Sequence, residues 1–365
     1  MIKEFDLKLI KLNKIFIGLM VFYGFLLVSS ASALESERIY QNSFYMVRNH
    51  LISVIVGLML MYFIKNIIKF ELILKNLKYL AGGMSIVLFG LLTYGNTFFG
   101  SSRWLDLGFV QFQPSEFAKP IIFLWVAKEV SKYDKKKPLI GQIVKTVFLP
   151  ASMCLFILLQ PDFGTSAVIV LVVLMQLFIS RINILIPLLS TIALSIIGYF
   201  VLNLEGYRNR RLQVWRDGTC NTGQELLDAC YQVHQSRIAI SSGGLFGLGP
   251  GTSRSRWGSL PSSYSDFISS IIGEEYGFFG FVLFLIFLLI IIFTFYLIAM
   301  RSKNEIKKIY IFGITSWIFI QSIFNLGATV YLLPVTGIVL PFVSYGGSAM
   351  ASIFIAMGIM DSKNE

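Results

Sequence analysis

Histidine, cysteine and charge are scarce in this chain. Two histidines, His50 and His234, occur in 365 residues, which argues against a His-rich metal site and a His-based catalytic triad. The three cysteines, Cys154, Cys220 and Cys230, contain no C-x-x-C pair, so zinc-cluster and thioredoxin-type readings fall away. Charged residues make up 14%, against about a quarter in an average soluble domain. Apolar residues fill the space, at 55% of the chain. A membrane-spanning helix needs about 20 of them, so the pool supplies about ten spans. This composition excludes an ordinary soluble globule, a disordered chain, a fibrous repeat and a disulfide-dense secreted domain. The net charge of +11 would raise nucleic acid as a partner in a soluble protein. Here cytoplasmic anchoring of membrane helices accounts for it first, and no nucleic-acid partner is expected.

Apolar runs lie near residues 15–34, 49–67, 79–98, 116–131, 141–160, 164–180, 182–203, 271–300, 309–331 and 346–360. The expected fold is an all-α polytopic membrane protein of about ten transmembrane helices, read as a single domain over 1–365 without a linker. Lysines divide its connections into two classes. All but Lys119 precede the first span, follow the last, or lie in or beside the joins of spans two and three, four and five, or eight and nine. These are alternate connections and lie on one side, which the positive-inside rule makes cytoplasmic. Both termini are then cytoplasmic, and 204–270 is a large extracytoplasmic loop between spans seven and eight. That loop carries Cys220 and Cys230, which can form a disulfide in an oxidising compartment. The N-terminus, Lys-rich, then apolar, then Ala31-Ser32-Ala33, also fits a cleavable signal, which would leave nine spans.

Ionisable side chains in spans are functional candidates because they are costly to insert. Four clusters stand out. The first is Arg103-Trp104 with Gln113 to Lys119. Glu116 and Lys119 share a helix face at i,i+3, either as a neutralising pair or as part of a site for an anionic group. The second, Gln160-Pro161-Asp162-Phe163-Gly164-Thr165, reads as a tight turn with Asp162 capping the next helix. The third spans Gln235-Ser236, Ser241 to Gly247, Leu260-Pro261 and Ser265-Asp266-Phe267, followed by Glu274 and Glu275. Its glycines lack a preceding strand and a Gly-Lys-Ser/Thr, so nucleotide-loop readings fail. Asp266 is either a helix N-terminal carboxylate or a general base facing a lipid-linked substrate. The fourth runs from Leu333 to Ser348 and includes Ser344, Gly346 and Gly347. Its prolines and glycines break the helix, and irregular backbone at membrane depth is tolerated only inside protein or lining a cavity.

In this order, the clusters resemble the SEDS family of polytopic peptidoglycan glycosyltransferases. The likeness is carried by R-W-x-x-L-G, Q-P-S-E-F-A-K, Q-P-D-x-G-T, Q-S-x-I-A-I-x-S-G-G-L-F-G, D-F-I-x-x-x-x-G-E-E-x-G and L-P-V-T-G-I-x-L-P-F-V-S-Y-G-G-S, from about Arg103 to Ser348. The resemblance implies ten membrane helices and polymerisation of lipid II on the outer face. It places the catalytic aspartate at Asp266 and functional charges at Arg103, Glu116 and Lys119. Gln235, Ser236, Ser344, Gly346 and Gly347 fall in the motifs as substrate-binding candidates. Implied partners are a class B penicillin-binding protein, the transpeptidase, and the division machinery. The family commonly reads L-P-E-x-H-T-D-F where this chain has Leu260-Pro261-Ser262-Ser263-Tyr264-Ser265-Asp266-Phe267, which removes any role of that glutamate and histidine. Residues 219–229 look inserted. The short stretch 247–260 resembles division-type (FtsW) members more than elongation-type (RodA) ones.

Joining a sugar hydroxyl to an anomeric carbon with a lipid diphosphate as leaving group needs one carboxylate base and cations for the diphosphate. The paired carboxylates of glycoside hydrolysis are not required. Asp266 fits the base, with Arg103 and Lys119 as cations. A divalent Mg or Mn ion can share that role. The competing readings are a lipid II flippase, which needs a headgroup site near the midplane opening to both sides, and a non-catalytic scaffold.

Overall fold

Apolar runs of this length fold as helices because a bilayer offers no partner for backbone N–H and C=O groups. The computed structural model describes residues 2–94, 96–98, 101–106, 111–134, 136, 138–180, 182–184, 186–188, 190–192, 215 and 229–363. The chain runs α1 (Ile2–Tyr40), α2 (Tyr45–Ile67) and α3 (Phe70–Tyr94). Three short strands follow, β1 (Asn96–Phe98), β2 (Ser101–Asp106) and β3 (Gln111–Phe112), paired antiparallel in that order. Then come α4 (Pro114–Val130), α5 (Leu139–Leu159), α6 (Phe163–Ile179), α7 (Ala229–Ser242), α8 (Ile268–Arg301), α9 (Glu305–Thr329) and α10 (Gly347–Asp361).

Among the described residues six helices are long and apolar enough to cross a membrane: α1, α2, α3, α5, α8 and α9. The apolar α6 and α10 are shorter. The chain is an all-α polytopic membrane protein. The third helix begins at Phe70 rather than near residue 79, so Lys75 and Lys78 ride on its first turns. Long lysine stems can lie along apolar surface with the ammonium in water, so these charges do not delay the helix. The stretch 96–98, expected at the end of that span, is strand β1. Of the expected span 182–203, residues 186–188 and 190–192 are helical, and 193–203 lie outside the described residues.

The centre is built by α4, which packs against α3, α5, α6, α9 and α10 and is buried over most of its length. Exposed apolar side chains such as Met59 and Phe63 on α2 and Ile86 on α3 suit a lipid-facing exterior. The lysine-rich ends converge. Lys14 on α1 and Lys65 on α2 both pair with Asp361 at the end of α10, at 2.5 and 3.9 Å. Lys307 at the start of α9 donates to the Ser362 carbonyl, and the Phe70 amide to that of Lys363. Ala31 and Ser32 of the signal-like stretch are buried within α1.

With 34 residues, α8 is about 51 Å long, at 1.5 Å per residue, and so exceeds a hydrocarbon core of about 30 Å. It breaks at Gly277, which has φ 64° and ψ −163° inside the helix. The loop after α7 repairs the break. Leu248 N–H donates to Glu274 O and Gly249 N–H to Glu275 O, both at 3.0 Å, while Phe278 and Phe279 N–H reach Gly244 O and Leu245 O at 2.9 and 3.1 Å. The chains approach so closely that a Cβ on Gly247 (φ 83°) would lie 2.2 Å from Glu275 O, and one on Gly277 2.3 Å from Gly247 N. The S-G-G-L-F-G and G-E-E-x-G motifs are therefore two halves of one backbone joint.

Candidate active site

Asp266 lies in the turn that leads into α8. The far end of α8, Arg301, enters the lysine-rich connection to α9, so Asp266 sits at the opposite end of the bundle. The turn is held by its backbone. Asn325 on α9 donates from Nδ2 to Asp266 O and to Ile338 O, both at 2.8 Å. Ser344 Oγ–H donates to Ser265 O at 2.6 Å and accepts from Leu340 N–H at 2.8 Å. The Tyr345 amide donates to Tyr264 O at 3.0 Å. The broken segment between α9 and α10 is thereby clamped onto the aspartate turn. Its residues Leu340, Phe342 and Val343 are buried, as irregular backbone at this depth requires.

The Asp266 carboxylate is half-buried. A Cβ on Gly337 would stand 3.6 Å from its Oδ2, in ordinary contact, so this glycine lies beside the carboxylate. The Tyr264 and Tyr345 rings meet edge-on at 5.7 Å between centroids. Burial, reinforced by the negative charges of Glu35 and Asp266 and by Tyr40, pushes the Tyr264 phenol up to about 12. Burial, with Tyr40, Tyr264 and Tyr45, does the same to Tyr345. Both phenols are therefore neutral hydroxyls at physiological pH.

The other expected residues divide. Lys119 Nζ donates to Glu116 Oε1 at 2.6 Å, and the two side chains are 1% and 6% exposed. Lys119 also reaches Gln321 Oε1 at 3.3 Å and lies over the Trp317 ring at 5.1 Å. Glu116 and Lys119, expected to meet an anionic substrate, are thus enclosed by α9, because a buried ammonium needs a carboxylate and further acceptors around it. Glu116 Oε2 has no hydrogen-bond partner among the described residues. Gln321 takes Trp317 Nε1–H at 2.6 Å and donates to Val339 O at 2.8 Å. One helical turn on, Asn325 holds Ile338 and Asp266. These two amides of α9, which the sequence reading missed, connect the charged pair on α4 to the aspartate turn. Their signal was two amides at i,i+4 inside an apolar helix.

Arg103, 26% exposed, turns to the α5–α6 junction. Its guanidinium donates to Gln160 O at 3.1 Å and to Pro161 O, and lies 3.8 Å from Asp162 Oδ1. Asp162 caps α6 by accepting from Thr165 N–H at 3.2 Å, as the sequence suggested. Ser236, expected at the substrate, is a buried staple, bonded to Ser270 Oγ at 2.8 Å and Thr329 O at 2.7 Å. Its neighbour Gln235 is half-buried on α7. Gly346 and Gly347 open α10, and a Cβ on Gly347 would meet Ser53 Oγ at 2.5 Å, so Gly347 serves helix packing. Cys230 is disulfide-bonded; Cys220 lies outside the described residues. Among the described residues no group of three or more His, Cys, Asp or Glu side chains could hold a metal ion.

Comparison with known proteins shows the family and the fold. The family model described as "Cell cycle protein", covering FtsW, RodA and SpoVE, matches residues 10–364. The probable peptidoglycan glycosyltransferase FtsW of Coxiella burnetii is 33% identical over 345 residues, 92% of this chain and 91% of that one. Stage V sporulation protein E of Bacillus subtilis is 32% identical over 350 residues, 94% and 93% of the two chains. Among solved structures, a chain of a peptidoglycan synthase complex that coordinates polymerization and crosslinking superposes with a TM-score of 0.79 at 22% identity, covering 96% of this chain and 95% of that chain. The rod shape determining protein RodA of Thermus thermophilus gives 0.69 at 22% identity, over 95% and 94%. The chain belongs to the FtsW/RodA/SpoVE family of cell cycle proteins.

Proposed function

We propose that this chain polymerises lipid II into glycan strands at the outer face of the cytoplasmic membrane, for septal synthesis in cell division. The observation that carries this reading is the placement of Asp266. It is a half-buried carboxylate, with its backbone fixed, at the bundle end opposite the lysines. The positive-inside rule makes that end extracytoplasmic and leaves both termini in the cytoplasm.

Asp266 accepts the proton of the 4-hydroxyl of one disaccharide as that oxygen attacks the anomeric carbon of another. The bond from that carbon to the lipid diphosphate breaks, the diphosphate departs with the electron pair, and the centre inverts. A diphosphate carries its charge without protonation, so a second carboxylic acid is not needed. Of the two expected cations, Arg103 keeps a solvent-facing edge and Lys119 does not. Arg103 is the one suited to meet a diphosphate. Lys119, with Glu116, positions the site through Gln321, Val339 and Asn325. A divalent Mg or Mn ion would be held chiefly by the diphosphate, as such ions commonly are, and would add positive charge there. The partner is a class B penicillin-binding protein that crosslinks the strands.

The test is incubation of the purified chain and its transpeptidase partner with labelled lipid II, wild type against Asp266→Asn. Long strands from the wild type alone support the reading. Polymer from the Asp266→Asn complex would remove the aspartate from the role, and no polymer from an intact wild-type complex would remove the activity.

A further inference from the structure

A cavity of about 160 Å³ lies between the C-terminal ends of α4 and α6 and the N-terminal half of α5. This is the lysine-rich end, across the membrane from Asp266. The floor is apolar, made by Val130, Leu177, Ile182 and Ile186, of which Val130, Leu177 and Ile186 are buried. The rim is cationic and polar, carrying Lys132, Tyr133 and Lys145. Glu129 also lines it, and is bound to Lys132 at 3.0 Å. Lys145 has no ion-pair partner among the described residues.

The walls are fixed. Gln142 accepts from Asp134 N–H at 2.9 Å and donates to Asp134 O at 3.0 Å, which pins the α4–α5 connection. The buried Thr146 hydroxyl donates to Gln142 O at 2.9 Å. Trp125 Nε1–H donates to Lys145 O at 3.3 Å, tying α5 to α4 beside the cavity. The volume is several times the roughly 30 Å³ of one water. Waters could satisfy the rim but would find no partners on the floor, since a bound water needs two to four polar contacts. The lining is amphipathic, and basic pockets between helices at the cytoplasmic surface suit anionic lipid headgroups.

We propose that this cavity binds an anionic phospholipid of the inner leaflet. The phosphate sits against the Lys145 ammonium and the Tyr133 hydroxyl, and the start of the acyl region lies on the Val130–Ile186 floor. Glu129 stays neutralised by Lys132, so the rim carries a net positive charge.

The test uses the full-length chain in detergent with equal amounts of dioleoyl phosphatidylglycerol and dioleoyl phosphatidylcholine, with retained lipid read by native mass spectrometry. The expected result is preferential retention of phosphatidylglycerol. Lys145→Gln, at an exposed position, should reduce that retention about fivefold, the usual worth of one lysine near an anionic surface. Ile186→Trp, which fills the floor, should reduce it for both lipids. Glycerol 3-phosphate at the same concentration should not displace the lipid. Displacement by glycerol 3-phosphate would assign the site to a soluble phosphate and overturn the proposal. So would equal retention of the two lipids, or retention unchanged by Lys145→Gln. If Ile186→Trp fails to fold, the Lys145→Gln and competition measurements still decide.

Discussion

Asp266 and Glu274 are about two helical turns apart on the chain and have opposite fates. Glu274 is buried and saturated. It accepts from Ser253 Oγ–H at 2.5 Å, from Arg254 N–H at 2.9 Å and from Ser255 N–H at 3.4 Å. It caps the loop that repairs the break in α8. Asp266 is half-buried, its backbone is clamped by Asn325, and its carboxylate lies beside Gly337. A carboxylate whose oxygens are filled by fixed donors organises a loop. One whose main chain is fixed while its side chain keeps solvent access can take a proton from a substrate.

Crossed substitutions would break this contrast most sharply. Asp266→Asn should cost about 10²- to 10⁴-fold in polymerisation, the usual worth of a general base, with the thermal midpoint unchanged. Glu274→Ala should act the other way. It leaves three donors without their acceptor, at roughly 1–3 kcal/mol for each one that stays buried, so the midpoint should fall while surviving folded protein keeps its turnover. Equal loss of stability in both variants would erase the distinction.

The Glu116–Lys119 pair extends the comparison to a third carboxylate, enclosed like Glu274 but balanced by a charge. Lys119→Met strands Glu116 in the interior and should destabilise by about 3–5 kcal/mol. The double variant Glu116→Gln/Lys119→Met removes the stranded charge and should recover much of that loss. If the pair only stabilises the fold, the double variant regains activity along with stability. If it positions the aspartate turn through Gln321 and Asn325, the double variant regains stability and keeps a lowered kcat. Thermal unfolding and strand-length assays on the same samples separate the two outcomes.

Much of this layout was legible in the sequence, for stated reasons. Apolar length gave most helices, because a bilayer permits little else, and lysine placement grouped the ends that meet at Asp361. Asp162 as a cap followed from its position before an apolar run. The pairing of the two glycine motifs was not legible: each half is visible, but close backbone approach across the break at Gly277 is a tertiary fact. The strands between residues 96 and 112 were hidden because they are short: β1 continues the apolar run of the third span, and β2 and β3 are only six and two residues long. The enclosure of Lys119 depended on Trp317 and Gln321, some 200 residues further along the chain, and the two amides of α9, though visible at i,i+4, do not say what they face. Ser236 stood in a substrate motif, yet its hydroxyl is spent on Ser270 and Thr329.

The smallest expected effect concerns the tyrosines beside Asp266, and its sign follows from burial. Tyr264 has an ordinary pKa of 10.0, pushed up to about 12 in the fold, first by burial and then by Glu35 and Asp266. The folded state therefore holds the phenolic proton more tightly than the unfolded chain does. Where the native state binds more protons, stability falls as pH rises. Tyr264 thus contributes a stabilisation fully present below pH 10 and lost as pH climbs toward 12. Tyr264→Phe should remove that part of the alkaline decline in thermal midpoint, leaving the part due to Tyr345, whose phenol burial also raises to about 12. It should leave the polymerisation profile between pH 6 and 9 unchanged in shape, since a phenol titrating near 12 does not ionise there. A Tyr264→Phe profile that shifts within that window would mean that the hydroxyl bonds directly to Asp266 during turnover. Asp266 would then share its proton with a neighbour, and Tyr264 would belong to the reacting group rather than to its packing.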